Sequence, residues 1–154
     1  MSFERAIRFV LAHEGEWADD PDDPGGRTRW GISSRWNEGI DLETLTRERA
    51  VAIYRERYWG PIAGEKLPSA LGLVLLDWAV LQGPGRAVRG LQGRLGVEAD
   101  GIVGPKTLEA LQHRSARELS QQLVADRKRE LLALERSRFT VGWLSRLVDL
   151  ALEL

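Results

Sequence analysis

The feature that most limits how this chain can fold is one long apolar run. It extends from Pro68 to Leu81, and Asp77 is its only charged residue. At 14 residues the run is shorter than the roughly 20 residues that a helix needs to cross a bilayer. We therefore expect no membrane-spanning segment here and predict a buried helix, against which the other segments of the chain pack.

Those other segments are mainly amphipathic helices. Phe3, Ile7, Val10 and Leu11 recur at helical spacing, and Gly15 follows the last residue of this pattern, so a first helix is predicted to end at Glu14. Similar patterns cover approximately residues 45–58, 87–95, a stretch from 105, 115–138 and 141–152. The sequence predicts a mainly α fold of about seven helices in a single domain, 1–154, with at most a short β-ribbon after the Asp-rich loop.

Composition excludes several kinds of site. The chain has no Cys and two His, which excludes disulfides, thiolate metal sites and a Cys nucleophile and argues against a histidine metal site. We expect no metal and no cofactor. The formal net charge of −1 lacks the basic excess of nucleic-acid-binding proteins, so no nucleic-acid partner is expected. Charged residues interrupt the N-terminal segment, which therefore does not resemble an export signal.

One arrangement of carboxylates suits acid/base chemistry. Glu14 ends an apolar helix, where partial burial favours the protonated form that a general acid needs. The loop after it contains four further carboxylates, at Asp19, Asp20, Asp22 and Asp23. Glycoside hydrolysis uses such a combination of one protonated and one ionised carboxyl. The same residues also suit a solvated helix end followed by an ordinary turn, or a weak calcium loop.

Motifs in four parts of the chain carry a resemblance. They are the run HEGEWADDPDDPGGRTRWGIS from His13 to Ser33, then Ala52 to Trp59, Asp77 to Ala87, and Leu95 to Leu108, followed by a terminal Phe139 to Trp143. In this order they resemble the glycoside hydrolase 108 family of N-acetylmuramidases, which occur as phage endolysins and as bacterial secretion-activating muramidases.

The resemblance implies a lysozyme-like fold that cleaves the β-1,4 bond between N-acetylmuramic acid and N-acetylglucosamine in the peptidoglycan glycan strand. It also implies a catalytic lobe, about 1–66, and a helical lobe, about 67–154, that contains a peptidoglycan-binding-like segment, 70–138.

The resemblance also implies the catalytic residues. The Glu of the family's HEGG motif, its general acid, matches Glu14. The spacing of Glu14, Asp23 and Thr28 is similar to the triad of phage lysozymes, in which Asp and Thr hold the attacking water. Asp20 is the alternative second carboxylate.

Substrate contacts are expected from Trp17, Trp30, Gly31 and Gln82. The two Trp residues replace the usual Tyr and keep flat faces for packing against sugar rings. Glu16 replaces the second Gly of HEGG, and Leu81-Gln82 replaces an Asn-Ser pair of the family. These departures favour an alternative function, that of a peptidoglycan-binding protein with weakened or lost catalysis.

The expected setting is that of a monomeric phage endolysin. Such a protein is made in the host cytoplasm without a signal peptide and reaches the periplasm and cell wall through a holin. Residues 97–111 resemble the peptidoglycan-binding part of the family, but an Asp-Gly turn followed by a Pro at the start of a helix also explains them. We favour the structural explanation for this segment.

Overall fold

A computed structural model describes residues 2–19, 26–33, 35, 37, 39–133 and 140–154. Asp20, Asp22 and Asp23 lie outside the described residues. Within them are seven α-helices and three short strands: α1 (Ser2–Glu14), β1 (Trp17–Ala18), β2 (Thr28–Arg29), β3 (Ile32–Ser33), α2 (Arg47–Tyr54), α3 (Ser69–Gln82), α4 (Pro84–Leu95), α5 (Pro105–Gln112), α6 (Ala116–Ala133) and α7 (Thr140–Leu152). A π-helical turn, Arg55–Trp59, extends α2.

The apolar run forms the central helix α3. Every residue from Leu71 to Ala79 is buried, and α1, α4 and α6 pack around the helix. A helix with an apolar surface on all sides is stable only inside a core. Asp77 is carried into that core with its neighbours and is fully buried. Its carboxylate therefore needs charged or hydrogen-bonding partners inside the protein.

Helix α1 ends where the sequence predicts. Its apolar residues are buried against the core, and Gly15 adopts a φ of +72°, which glycine reaches without steric cost. The N–H of Gly15 donates to the carbonyl of Leu11 at 3.2 Å. The chain then leaves the helix and enters β1. As a result, Glu14 lies at the border between the core and the solvent.

The three strands form a small antiparallel sheet in the order β1-β2-β3. Arg29 pairs with Ile32, so Trp30 and Gly31 alone connect β2 to β3. Both have positive φ, +51° and +75°, as a type I′ turn requires. Trp30 is strained there because a side chain disfavours this region. Its carbonyl accepts a hydrogen bond from the Tyr54 hydroxyl at 3.1 Å, which holds the turn against α2.

The predicted fold class is confirmed, with one difference in the sheet. The seven helices and the ribbon at Thr28 to Ser33 are present, but β1 lies before the Asp-rich loop and adds a third strand. The sequence pattern did not indicate β1 because a strand of two exposed residues has no apolar alternation. No helix in the described part of the chain is long and apolar enough to span a membrane.

The segment between α4 and α5 is organised around a buried amide. Gln92 Nε2 lies within hydrogen-bond distance of Asp100 Oδ1 (2.7 Å), the carbonyl of Ile102 (3.0 Å) and Thr107 Oγ1 (3.1 Å). Its Oε1 accepts from the N–H of Gly101 at 2.8 Å. The Asp-Gly turn and the start of α5 are thus fastened to α4 by one side chain.

Candidate active site

Glu14 makes one strong contact, and it comes from the other end of the chain. Its Oε1 accepts from Arg146 Nη1, on α7, at 2.6 Å, and 22% of the Glu14 side chain remains exposed. Within the described residues Oε2 has no hydrogen-bond partner. The expected partial burial of Glu14 is therefore confirmed, whereas its arginine partner was not expected.

Arg146 belongs to a buried network of two carboxylates and two arginines, which we call the Asp77 network: Glu14, Asp77, Arg127 and Arg146. Arg146 Nε donates to Asp77 Oδ1, and Arg127 Nη1, on α6, donates to Asp77 Oδ2, both at 2.6 Å. The network contains equal numbers of positive and negative charges. Buried ion pairs are tolerated when every charge is matched and hydrogen-bonded in this way.

The net pKa shifts of the two arginines have opposite signs. Burial is the largest effect on Arg127 and lowers its pKa, although Asp77 opposes the shift. Burial also acts to lower the pKa of Arg146, but Asp77 and Glu14 together outweigh it, so that this pKa is raised. Both guanidinium groups are charged at any pH that the folded protein meets. Arg146 is the one that is held between two carboxylates.

The turn between β2 and β3 lies directly behind Glu14. A Cβ added to Gly31 would stand 2.8 Å from Glu14 Cγ and 2.2 Å from the Tyr54 hydroxyl oxygen, closer than side chains can approach. Burial raises the pKa of Tyr54 and of Tyr58, and the negative charge of Glu14 acts in the same direction on both. Glu14 is thus packed against glycine backbone, with two tyrosines that stay neutral beside it.

The sheet presents further polar and aromatic groups. Thr28 is partly buried in β2, opposite Ala18 on one side and Ser33 on the other. Trp17 is 39% exposed, and the guanidinium groups of Arg27 and Arg29 lie 4.2 and 4.8 Å from its ring centre. Such contacts stabilise both the ring and the cations.

Two of the positions that depart from the family pattern have partners on the protein itself. Glu16 Oε1 accepts from Arg29 Nη2 at 3.4 Å, and its side chain is 52% exposed. Gln82, at the end of α3, is exposed, and its Oε1 accepts from Trp78 Nε1 at 2.7 Å. Its amide nitrogen has no hydrogen-bond partner among the described residues and is a donor available to a ligand.

Comparisons with known proteins identify the family of the chain. The family model described as Glycosyl hydrolase 108 matches residues 7–83, and one described as Predicted Peptidoglycan domain matches residues 86–148. The chain belongs to the glycosyl hydrolase 108 family. A solved structure, "Structure of Brucella abortus SagA", is 37% identical to it, with a TM-score of 0.88, over 98% of this chain and 92% of that chain. No curated protein matches. The chain is therefore a glycosyl hydrolase that acts on peptidoglycan.

In this glycosyl hydrolase 108 enzyme, the structure brings some predicted residues together and leaves others undescribed. Gly31 lies against Glu14, and Thr28, Trp17 and Trp30 belong to the adjoining sheet and its turn. Asp20 and Asp23, the two candidates for the second carboxylate, lie outside the described residues. Their roles and the substrate contacts of Trp17, Trp30, Gly31 and Gln82 stay predictions.

Sequence reasoning missed the other members of the Asp77 network in this family member. One signal was available, because a single Asp in an apolar run is buried only with a cationic partner. No comparable signal marked Arg127 or Arg146 among the 22 Lys and Arg residues of the chain. Glu14 and Asp77 lie in the hydrolase match, whereas both arginines lie in the peptidoglycan-domain match.

Proposed function

We propose that the chain is an N-acetylmuramidase that hydrolyses the β-1,4 bond between N-acetylmuramic acid and N-acetylglucosamine, with Glu14 as general acid. The observation that carries this proposal is the setting of Glu14. It is partly buried at the end of α1, one carboxyl oxygen is held by Arg146, and the other has no partner in the described residues. A general acid needs one such free, fixed oxygen within hydrogen-bond reach of the leaving group.

In the reaction, Glu14 gives its proton to the glycosidic oxygen as the bond to the anomeric carbon breaks. The positive charge that develops on the sugar is met by a water molecule, which loses its proton to the second carboxylate. We assign this carboxylate to Asp23, with Asp20 as the alternative, and the orientation of the water to Thr28. This direct attack by water inverts the anomeric carbon and needs about 6.5–9.5 Å between the two carboxyls; at about 5–5.5 Å the second carboxylate would instead attack the sugar itself, and the configuration would be retained.

The sugar at the reducing end of the products identifies the glycosidic bond that is cleaved. Digestion of purified peptidoglycan, followed by borohydride reduction and mass spectrometry, should yield fragments that end in reduced N-acetylmuramic acid. Fragments that end in reduced N-acetylglucosamine would contradict the proposed bond.

The role of Glu14 is tested by Glu14→Gln, which keeps the shape of the side chain but carries no transferable proton. It should lose nearly all clearing of peptidoglycan suspensions, with a melting temperature close to that of wild type. Full activity in this variant would refute the assignment. If wild-type protein sediments with peptidoglycan but releases no fragments, the alternative function of a binding protein without catalysis is correct.

We further propose that the two matched segments, 7–83 and 86–148, form one folding unit of the monomer. Buried residues from Phe3 to Leu150 belong to one contiguous core, and the Asp77 network crosses between the segments. Segment 97–111 has a structural role in this proposal, because the buried Gln92 side chain binds its backbone and side chains. Light scattering measures the monomer, and a single unfolding transition by calorimetry measures the folding unit.

The biological setting that we propose is host-cell lysis as a phage endolysin. Support comes from the family resemblance together with the proposed muramidase activity. Expression in a Gram-negative host with a holin should cause lysis, and the same expression without the holin should not. Lysis that is independent of the holin would contradict this route to the cell wall.

A further inference from the structure

The contact between Glu14 and Arg146 joins the proposed acid to the far end of the chain. Arg146 Nη1 reaches Glu14 Oε1, while Nε of the same guanidinium reaches Asp77 Oδ1. We propose that Arg146 is the positioning residue of the acid and that Asp77 fixes Arg146 for this task. The inference rests on the proposed function of Glu14 as general acid.

The planar guanidinium explains how the positioning works. Its N–H groups point in fixed directions, so two carboxylates bound at Nε and Nη1 define the plane in which the group lies. Asp77 is fully buried on the central helix and cannot move without disturbing the core. Arg146 is therefore held rigidly, and it holds Oε1 of Glu14 in turn. The free oxygen, Oε2, is left as the one that carries the proton to the glycosidic oxygen.

Arg146 differs from Arg127 in ways that a merely structural role of Arg146 does not explain. Arg127 already supplies one cation to Asp77, at the same 2.6 Å distance, and it does not touch Glu14. Arg146 is equally buried but extends to a carboxylate that is itself partly exposed. Its remaining nitrogen, Nη2, is buried without a hydrogen-bond partner among the described residues. An unpaired buried donor costs stability, so stability alone does not explain this arrangement.

Because Arg146 lies in the second matched segment, this segment contributes a residue to the proposed hydrolytic site. Residues 86–148 match a peptidoglycan domain, yet in this chain they deliver a side chain to the acid of the hydrolase segment. The second segment therefore completes the hydrolytic site, whether or not it also binds the glycan strand.

The experiment compares Arg146→Met with Arg127→Met. Each removes one buried arginine and one 2.6 Å contact to Asp77, but only the first frees Glu14. We expect Arg146→Met to lower kcat on soluble glycan chains by about 100-fold, the effect of misplacing a reacting group by about 1 Å, with KM within about twofold. For Arg127→Met, kcat per folded molecule should stay within about threefold, although the melting temperature falls in both variants, and further in Arg146→Met, which loses two ion pairs rather than one.

Arg146→Lys keeps the experiment informative if Arg146→Met does not fold. Lysine retains the charge but cannot bind two carboxylates in a fixed plane, so a folded variant with about tenfold lower kcat and nearly unchanged KM is expected. Wild-type kcat in Arg146→Lys, or equal loss of kcat in Arg146→Met and Arg127→Met, would overturn the proposal.

Glu14→Gln, measured in parallel, separates the two levels of inference. If Glu14→Gln is inactive while Arg146→Met behaves like Arg127→Met, the positioning role alone is wrong. If Glu14→Gln is active, the proposed acid is wrong, and the role of Arg146 falls with it.

Discussion

Within the candidate active site, we expect the addition of a single methyl group at Gly31 to destabilise the protein strongly. In Gly31→Ala the new Cβ would lie 2.2 Å from the Tyr54 hydroxyl oxygen and 2.8 Å from Glu14 Cγ, at a φ of +75°. The left-handed backbone costs about 1–2 kcal/mol for a residue with a side chain. Overpacking adds about 1–3 kcal/mol, and the displaced Tyr54 hydroxyl loses a hydrogen bond worth about 0.5–1.5 kcal/mol. We expect a total loss of about 2.5–6.5 kcal/mol in the free energy of unfolding.

A second substitution tests whether the Tyr54 hydroxyl is the cause. Tyr54→Phe removes the atom of closest approach and leaves the contacts with Glu14 unchanged. Gly31→Ala should therefore cost about 1–2 kcal/mol less in the Tyr54→Phe background than in wild type, a coupling of the size that contacting residues show. Urea unfolding, followed by the fluorescence of the six tryptophans, measures all four proteins of this cycle.

The control is Gly93→Ala on α4, where, apart from the neighbouring backbone of the helix itself, no atom of the described residues lies within 4 Å of the added Cβ. This change should stabilise the protein by up to about 1 kcal/mol, since alanine is the better helix former. The reasoning is refuted if Gly31→Ala unfolds at the same urea concentration as wild type, or if the cycle shows no coupling between Gly31 and Tyr54.

Two further predictions follow from buried side chains. Tyr54 and Tyr58 are the only tyrosines, and burial raises the pKa of both, so the folded protein should show less tyrosinate absorbance at 295 nm near pH 10, the ordinary tyrosine value, than the unfolded chain. Because the unfolded chain releases these protons at lower pH than the folded protein, the free energy of unfolding should fall as pH rises above about 10, and less steeply in Tyr54→Phe. Gln92→Met should lose about 2–3 kcal/mol of stability, because it leaves buried partners unpaired. Retention on peptidoglycan should not change per folded molecule; selective loss of retention would instead mean that residues 97–111 bind the glycan.

The parts of this fold that could be predicted are those that local patterns determine. The position of Glu14 follows from the spacing of four apolar residues and from the glycine that ends α1. Similarly, α3 follows from the apolar run, and α5 begins at the proline that its sequence predicts. Each of these elements is specified by residues within it or next to it, so its prediction requires no knowledge of distant packing.

Contacts between distant residues could not be predicted in the same way. Trp59 is enclosed because Gly64 and Gly72 leave room for its ring, and a Cβ on either would come within 2.8 Å of it. Nothing in the sequence around either glycine indicates that partner. The Asp77 network is similar, since Arg127 and Arg146 are separated from Asp77 by 50 and 69 positions. Only the need of Asp77 for a cation was visible, not the identity of the cation.

The contacts of Arg146 couple the packing of α7 against the core to the positioning of the proposed acid, Glu14. On the surface, Asp149 of α7 contacts His13 of α1 at 3.1 Å, and Glu153, which follows α7, contacts Arg5 of α1 at 3.2 Å. Exposed pairs of this kind contribute at most about 1 kcal/mol each. The buried contacts of Arg146 and of two leucines on α7 must then hold the helix in place. Because the same Arg146 orients Glu14, the proposed acid is held in its working position only while the last helix is packed against the core.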